Sequence, residues 1–176
     1  MRIIGGQYKG KQIAGDAKLL LRPTTDFAKE GLFNILSGRY DWEGLEALDL
    51  FAGTGSISYE FVSRGADSVH AVEMDPHHVA FIRATAGKLN MHNLKIVRDE
   101  AFHFLSICKA TYNLIFADPP YEMAKISAIP DEVLSRNLLK PEGMLIVEHS
   151  KHTDFSQHQR LVFQRNYGNV HFSFFQ

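Results

Sequence analysis

The sequence predicts an α/β protein: a mostly parallel, doubly wound sheet that ends in an antiparallel hairpin. Three observations predict it. From residue 45 onward, short apolar runs alternate with segments of helical spacing, as in βαβ units whose sheet is covered on both faces. The tail QRLVFQRNYGNVHFSFFQ holds two strand-like runs about an Asn-Tyr-Gly-Asn turn, the pattern of a hairpin. The first 40 residues stand outside the alternation and carry seven Lys or Arg against three acids. The 176 residues are thus read as a basic N-terminal extension, 1–40, packed on a core of 41–176.

In chain order, RIIGGQYKGKQI is glycine-rich and β-like, and a helix follows from about Asp26 to Leu36, capped by Thr25 or Asp26. ALDLF (47–51) is a short apolar strand, and Ser56 to Ser63 has helical spacing. SVHAVEM (68–74) alternates as a strand. Pro76 to Lys88 is a helix with Asp75 as its cap and Pro76 at the first position, where its missing N–H does no harm. LKIV (94–97) and NLIFA (113–117) are strands flanking a helix from Ala101 to Lys109. A helix over Asp131 to Leu139 and a fifth strand, GMLIV (143–147), lead into the hairpin runs LVFQR and VHFSFF.

Composition, 45% apolar and 22% charged, is that of an ordinary globular chain. No apolar run approaches a membrane span, and the N-terminus lacks the apolar core of a signal peptide. Cys108, the single cysteine, is read as a buried small apolar residue on a helix, in keeping with a reducing compartment. A cytoplasmic location is expected. The extension carries a net +4 on a body of −5, a footprint for phosphate. His149 and His152 after Glu148 match no common zinc spacing, and no metal is expected. His77 and His78 are placed on a solvated helix face.

LDLFAGTGS (48–56) closes the first strand and opens a helix. Gly53 and Gly55 let backbone approach a ligand at the C-terminal sheet edge, where open α/β sheets bind ligands. Glu73 ends the second strand about twenty residues later and can accept from two ribose hydroxyls. The third glycine of a dinucleotide fingerprint is replaced by Ser58, and Asp49 would repel a pyrophosphate at that helix N-terminus. A ligand with an ammonium and no phosphate suits Asp49 instead, and S-adenosylmethionine is such a ligand. Asp99 or Glu100, after the third strand, can accept from the adenine amino group.

NLIFADPPYE ends the fourth strand with a carboxylate, two prolines and an aromatic ring. Prolines donate no N–H and hold their carbonyls stiffly. Asp118 and the Pro119 carbonyl can accept both hydrogens of an exocyclic amine, which favours a pyramidal nitrogen. Tyr121 then stacks on the ring and sets its plane. Methyl transfer is an in-line displacement, so alignment carries much of the rate.

These residues resemble the S-adenosylmethionine-dependent amino-methyltransferases that carry Asp/Asn-Pro-Pro-Tyr/Phe. RIIGGQYKGKQI, LRPTTDFAKEGLFNIL, LDLFAGTGSI and DPPY, in that order and spacing, are similar to the bacterial 16S rRNA guanine-N2 methyltransferase family of the RsmD type, over nearly the whole chain. The resemblance implies a Rossmann-like class I methyltransferase fold with a seven-stranded sheet. It implies methyl transfer to the 2-amino group of one guanosine in 16S rRNA, naked or in a small-subunit assembly particle. A monomer is expected. On that basis the cofactor falls to Asp49, Phe51, Gly53, Gly55, Glu73, Met74, Glu100 and Ala101. Catalysis falls to Asp118, Pro119, Pro120 and Tyr121, and RNA contact to Arg2, Lys9, Lys11, Arg22, Thr24 and Thr25. Pro23 belongs to the same N-terminal motif.

The sequence also departs from the family. Phe27-Ala28-Lys29-Glu30 stands where Arg-Val-Arg-Glu is usual, a loss of one or two positive charges from a helix expected to face RNA. Glu100 stands where Asp or Asn is usual, and the chain shortens after the fifth strand, where a helix would be expected. The competing readings are an amino-methyltransferase acting on adenine in DNA or glutamine in protein, and a non-catalytic RNA-binding module. A DNA enzyme usually adds a sizeable recognition region, a protein-glutamine enzyme more often needs a separate binding domain, and the intact DPPY argues against a mere binder.

Overall fold

A computed structural model describes residues 1–14 and 25–176. Its centre is one seven-stranded sheet of order β3-β2-β1-β4-β5-β7-β6. The strands are β1 (Glu46–Asp49), β2 (Ser68–Glu73), β3 (Leu94–Arg98), β4 (Tyr112–Ala117), β5 (Leu139–His149), β6 (Leu161–Tyr167) and β7 (Val170–Phe175). The first five run parallel; β7 enters antiparallel between β5 and β6. The helices are α1 (Asp26–Ser37), α2 (Ser56–Arg64), α3 (Pro76–Lys88), α4 (Ala101–Ile107) and α5 (Ile129–Ser135). The strand order reverses direction between β1 and β4, and ligands bind at such a switch point in open α/β sheets.

Parallel strands covered on both faces must be apolar throughout. Leu48, Val72, Leu114, Ile115, Phe116, Leu145 and Ile146 are accordingly buried. Each such side chain removed from water contributes about 1.5–3 kcal/mol. One core layer joins the sheet to α1, α2 and the N-terminal residues Ile3 and Ile13. The other lies under α4 and α5.

The helices start where local chemistry supplies a cap. Asp75 accepts from the His77 and His78 N–H groups at 2.7 and 3.4 Å ahead of α3. Glu100 accepts from His103 N–H at 2.9 Å ahead of α4, and Thr25 from Ala28 N–H at 3.2 Å ahead of α1. Three expectations shift. The helix expected over 131–139 spans Ile129–Ser135, because Asn137 adopts a φ of 53° and turns the chain out of it. The fifth strand begins at Leu139, passes an irregularity at left-handed Glu142, and resumes pairing at Met144. Cys108 is half-buried just past the end of α4 rather than inside a helix. Among the described residues no helix lies between β5 and β6, in keeping with the short connection. The hairpin turn tightens to Gly168 and Asn169, with Tyr167 paired to Val170. Gly168 supplies the positive φ, 65°, at the position where a two-residue loop asks for glycine.

The N-terminal residues fold into a hairpin-like loop, bridged at Arg2 and Gln12 and laid on α2. Gln7 N–H donates to the Ser63 carbonyl at 2.7 Å, and Ser63 Oγ donates to the Gly5 carbonyl at 2.5 Å. A Cβ at Gly6, whose φ is +71°, would sit 1.8 Å from the Ser63 carbonyl oxygen. Gly6 is therefore a packing requirement.

Lys29 does not face solvent. It is 2% exposed, and its Nζ donates to the Arg2 carbonyl at 2.7 Å while lying 3.3 Å from Glu60 Oε1. Glu60 also accepts from Ile4 N–H at 2.6 Å and lies 3.6 Å from Arg64 Nε. This buried pair ties the N-terminal loop, α1 and α2 together. Lys29→Met leaves Glu60 buried without its main counter-charge and is expected to cost about 3–5 kcal/mol in urea unfolding. Adding Glu60→Gln to it should recover part of that loss.

Candidate active site

The first strand ends where the helix after it must begin, and the turn between them is forced. Gly53 and Gly55 take φ values of 54° and 86°, which only glycine adopts without strain. A Cβ on Gly55 would also come within 2.7 Å of the Tyr59 ring. Gly55 is the N-cap of α2 and has no side chain to cap with. Asp49 supplies the cap from the strand end: its Oδ2 accepts from Ser58 N–H at 3.1 Å and from Ser58 Oγ at 2.6 Å. Asp49 is 1% exposed, and its Oδ1 has no hydrogen-bond partner among the described residues. Burial above all pushes its carboxyl up to about 7 against the help of Ser58, and the charge of Glu73 adds to the rise.

Glu73 is pinned at the end of β2. Its Oε2 accepts from Gly53 N–H and its Oε1 from Asp75 N–H, both at 2.8 Å. The glycine turn and the strand-end carboxylate are thus one unit. His78 is not on a solvated face: it is buried, with Nδ1 3.8 Å from Glu73 Oε1. Met74 is exposed and Phe51 half-buried. Ala101 is buried at the start of α4. Asp99 accepts from Glu100 N–H at 2.8 Å and meets the His103 ring at 2.8 Å, so both acids are fixed by the helix they start.

The fourth strand brings the second half of the site. Asp49 pairs in register with Phe116, so Asp118 emerges two residues past it on the neighbouring strand. Its carboxyl is held well above the usual range, first by burial, then by the charges of Glu148 and Asp49. The Pro120 carbonyl is taken by Met123 N–H at 2.8 Å. Of the two proline carbonyls, that of Pro119 remains without a hydrogen bond among the described residues. Tyr121 is 49% exposed, and its hydroxyl donates to Glu148 Oε1 at 3.4 Å. Beside it lies a groove of about 830 Å³ lined by Tyr121, Met123, Ser150, Lys151, His152 and Asn169, among others.

Glu148 escaped the sequence reading as a site residue. The available signal was its position, the last acid of a strand whose C-terminal end adjoins that of β4. His149 spends its ring nitrogens on the Ser150 carbonyl at 2.9 Å and Ser173 Oγ at 2.7 Å, so it anchors a loop. Of the residues expected to contact RNA, Arg2 and Lys11 are neighbours across the N-terminal bridge, close to Thr25 at the start of α1. Arg2 pairs with Asp26 at 3.0 Å near the start of α1, and Thr25 is that helix's cap. Lys9 and Lys11 are exposed on the N-terminal loop, and the Lys11 carbonyl accepts from Ile3 N–H at 3.1 Å, next to Arg2. Arg22 and Thr24 lie outside the described residues.

A family model described as conserved hypothetical protein 95 matches residues 1–176. The Escherichia coli (strain K12) protein named Ribosomal RNA small subunit methyltransferase D is 31% identical over 148 residues, 84% of this chain and 74% of that protein. The chain belongs to the RsmD family of methyltransferases. The Haemophilus influenzae family member of the same name is 31% identical over 160 residues, 86% of this chain and 79% of that protein. Among solved structures, the Thermus thermophilus protein TTHA0928 superposes with a TM-score of 0.88 at 26% identity, covering 100% of this chain and 99% of that one. SMU.776, complexed with S-adenosylhomocysteine, shares the fold at a TM-score of 0.63 and 17% identity, over 74% of this chain and 44% of that one.

The residues present fit the cofactor of an RsmD-family methyltransferase, S-adenosylmethionine. A bare, buried carboxylate oxygen on Asp49 calls for a cation, and the ligand carries an ammonium and a sulfonium. Glu73 has acceptor capacity left beyond its two backbone bonds. Exposed Met74 and half-buried Phe51 offer apolar surface for a base.

Two consequences of Asp49 can be measured. Its folded-state value near 7 exceeds the ordinary 3.8, so the folded chain holds a proton that the unfolded chain has released. The ligand-free protein therefore loses stability as pH rises from about 4 through about 7, and Asp49→Asn should raise its melting temperature more at about pH 8 than at about pH 5. A cationic ligand favours the ionised form. Asp49→Asn should accordingly weaken cofactor binding at about pH 8 and approach the parent protein at about pH 6, as read by titration calorimetry.

Proposed function

We propose that the chain transfers a methyl group to the exocyclic 2-amino group of a guanosine in small-subunit rRNA. The observation that carries this reading is the end of β4, where Asp118, the Pro119 carbonyl and an exposed Tyr121 ring stand next to the half-satisfied Asp49. The relatives named as small-subunit rRNA methyltransferases support the choice of rRNA. The choice of an amine rests on the two adjoining acceptors and the ring.

Bound S-adenosylmethionine supplies a methyl group made electrophilic by its sulfonium. The chain supplies the rest. Asp118 and the Pro119 carbonyl accept the two amine hydrogens and turn the nitrogen lone pair toward the methyl position. Tyr121 stacks on the base, and its bond to Glu148 restrains the ring plane. A base held this way has left its stack, which loops and single strands in RNA allow at low cost. The nitrogen sheds a proton after alkylation. Asp118, whose carboxyl is pushed upward by burial and by its acidic neighbours, is placed to take it.

Asp49, Phe51, Gly53, Gly55, Glu73, Met74, Glu100 and Ala101 form the cofactor side. Arg2, Lys9, Lys11 and Thr25 offer contacts to RNA, with Arg22 and Thr24 completing that set. Cytoplasmic rRNA, free or in an assembly particle, is the expected partner of a monomer.

Asp118→Ala should keep cofactor affinity within about tenfold while losing most methyl transfer, a drop of about 10²–10⁴-fold in kcat for a group that handles the proton. Unchanged turnover would remove Asp118 from the chemistry. The reaction itself is tested by incubating labelled methyl donor with rRNA and assembly intermediates and digesting to nucleosides, with 2-methylguanosine as the expected product. Lys9→Glu with Lys11→Glu should weaken rRNA binding and lower its salt slope by about two.

A further inference from the structure

Phe27 is 69% exposed on the first turn of α1. Its ring meets Tyr167 edge-on, with centroids 5.5 Å apart. Tyr167 lies close against α1: a Cβ on Gly31 would fall 2.2 Å from its ring carbons. Together with Glu30, Asn34 and Ile35 these residues line a groove of about 660 Å³. Further along edge strand β6, Phe163 stacks on Phe174 at 4.1 Å. The guanidinium carbons of Arg39 and Arg165 sit 4.8 and 5.0 Å from the Phe163 centroid. Both arginines are exposed, and neither takes part in an ion pair among the described residues. Glu30 is the one acid in the groove, and its charge is felt by Arg64.

The seam between α1 and β6 is thus a row of rings and guanidiniums, spanning about 13 Å from Phe163 to Tyr167. The hairpin turn links it to the groove beside Tyr121. Tyr167 precedes the Gly168–Asn169 turn, and Asn169 lines the groove that also contains Tyr121.

Resting on the RNA-methyltransferase reading above, we propose that this seam is a platform for the single-stranded RNA that flanks the target guanosine. Exposed rings stack bases without regard to sequence, and guanidiniums add cation–π contact and phosphate pairing. Phe27, the most exposed of the large apolar side chains among the described residues, then has a use that packing does not give it. Phe27 offers the stacking face, and the positive charge of the seam resides in Arg39 and Arg165.

The test compares Phe27→Ala, Phe27→Tyr, Arg165→Ala and the Phe27→Ala/Arg165→Ala pair with the parent protein. A short fluorescent single-stranded oligoribonucleotide serves as probe in an anisotropy titration, alongside steady-state methyl transfer to rRNA. The double variant should bind the probe about tenfold more weakly or worse and raise KM for rRNA correspondingly, given the usual stacking contribution. Its kcat and its affinity for S-adenosylhomocysteine should stay within about twofold. Phe27→Tyr should bind as the parent does. Arg165→Ala should lower the salt slope by about one and Phe27→Ala should leave it unchanged. Melting temperatures close to the parent's are expected, since both side chains are on the surface.

Probe affinity and KM unchanged in the double variant would overturn the platform and leave the proposed reaction standing. Impaired methylation of a protein-bearing particle with unchanged probe binding would also overturn it, assigning the seam to a protein contact. If the parent methylates no rRNA, the proposed reaction fails, and a loss of probe binding in the double variant would still support a single-strand RNA surface.

Discussion

Asp49 is the constraint on which the rest of the site depends. The turn from β1 to α2 needs glycine at the cap position, so α2 cannot cap itself with its own side chain. A carboxylate from the strand end does it instead, and must be buried to reach Ser58. One of its oxygens is satisfied and the other is left bare in the interior. A half-satisfied buried carboxylate destabilises the ligand-free chain, since desolvation outweighs the hydrogen bonds it makes. The same arrangement suits a positively charged ligand. Asp118 on the adjoining strand is under similar strain from burial and from its acidic neighbours. The sheet's change of direction between β1 and β4 brings the two together.

Around that centre the molecule separates holding from reading. The glycines and the lysine of the N-terminal motifs serve assembly: Gly6 admits the Ser63 carbonyl, and Lys29 neutralises Glu60 inside the protein. Lysine on a helix resembles a surface charge when only its neighbours in sequence are considered. Here the buried carboxylate of α2 claims it. The groups proposed for nucleic acid lie elsewhere: on the loop carrying Lys9 and Lys11, at the groove beside Tyr121, and in the seam of Phe27, Tyr167, Arg39 and Arg165.

Much was legible in the chain alone. Apolar runs of four to six residues between helical periods dictate a parallel sheet, because strands buried on both faces cannot alternate. Glycine at Gly53 and Gly55 followed by Glu73 marks a ligand edge, because positive φ and a strand-end carboxylate are properties of local chain geometry. The Asp118-Pro-Pro-Tyr run is informative for the same reason, since proline stiffness is covalent. What depended on tertiary structure was every statement about environment. That Asp49 caps a helix nine residues ahead, that Glu148 stands beside Tyr121, that Lys29 and His78 are buried, and that Phe27 meets Tyr167 across 140 positions of chain all follow from strand order and packing. Burial and charge proximity are set by which distant segments meet, and the physical terms that shift a carboxyl or hide a lysine come into being only when they do.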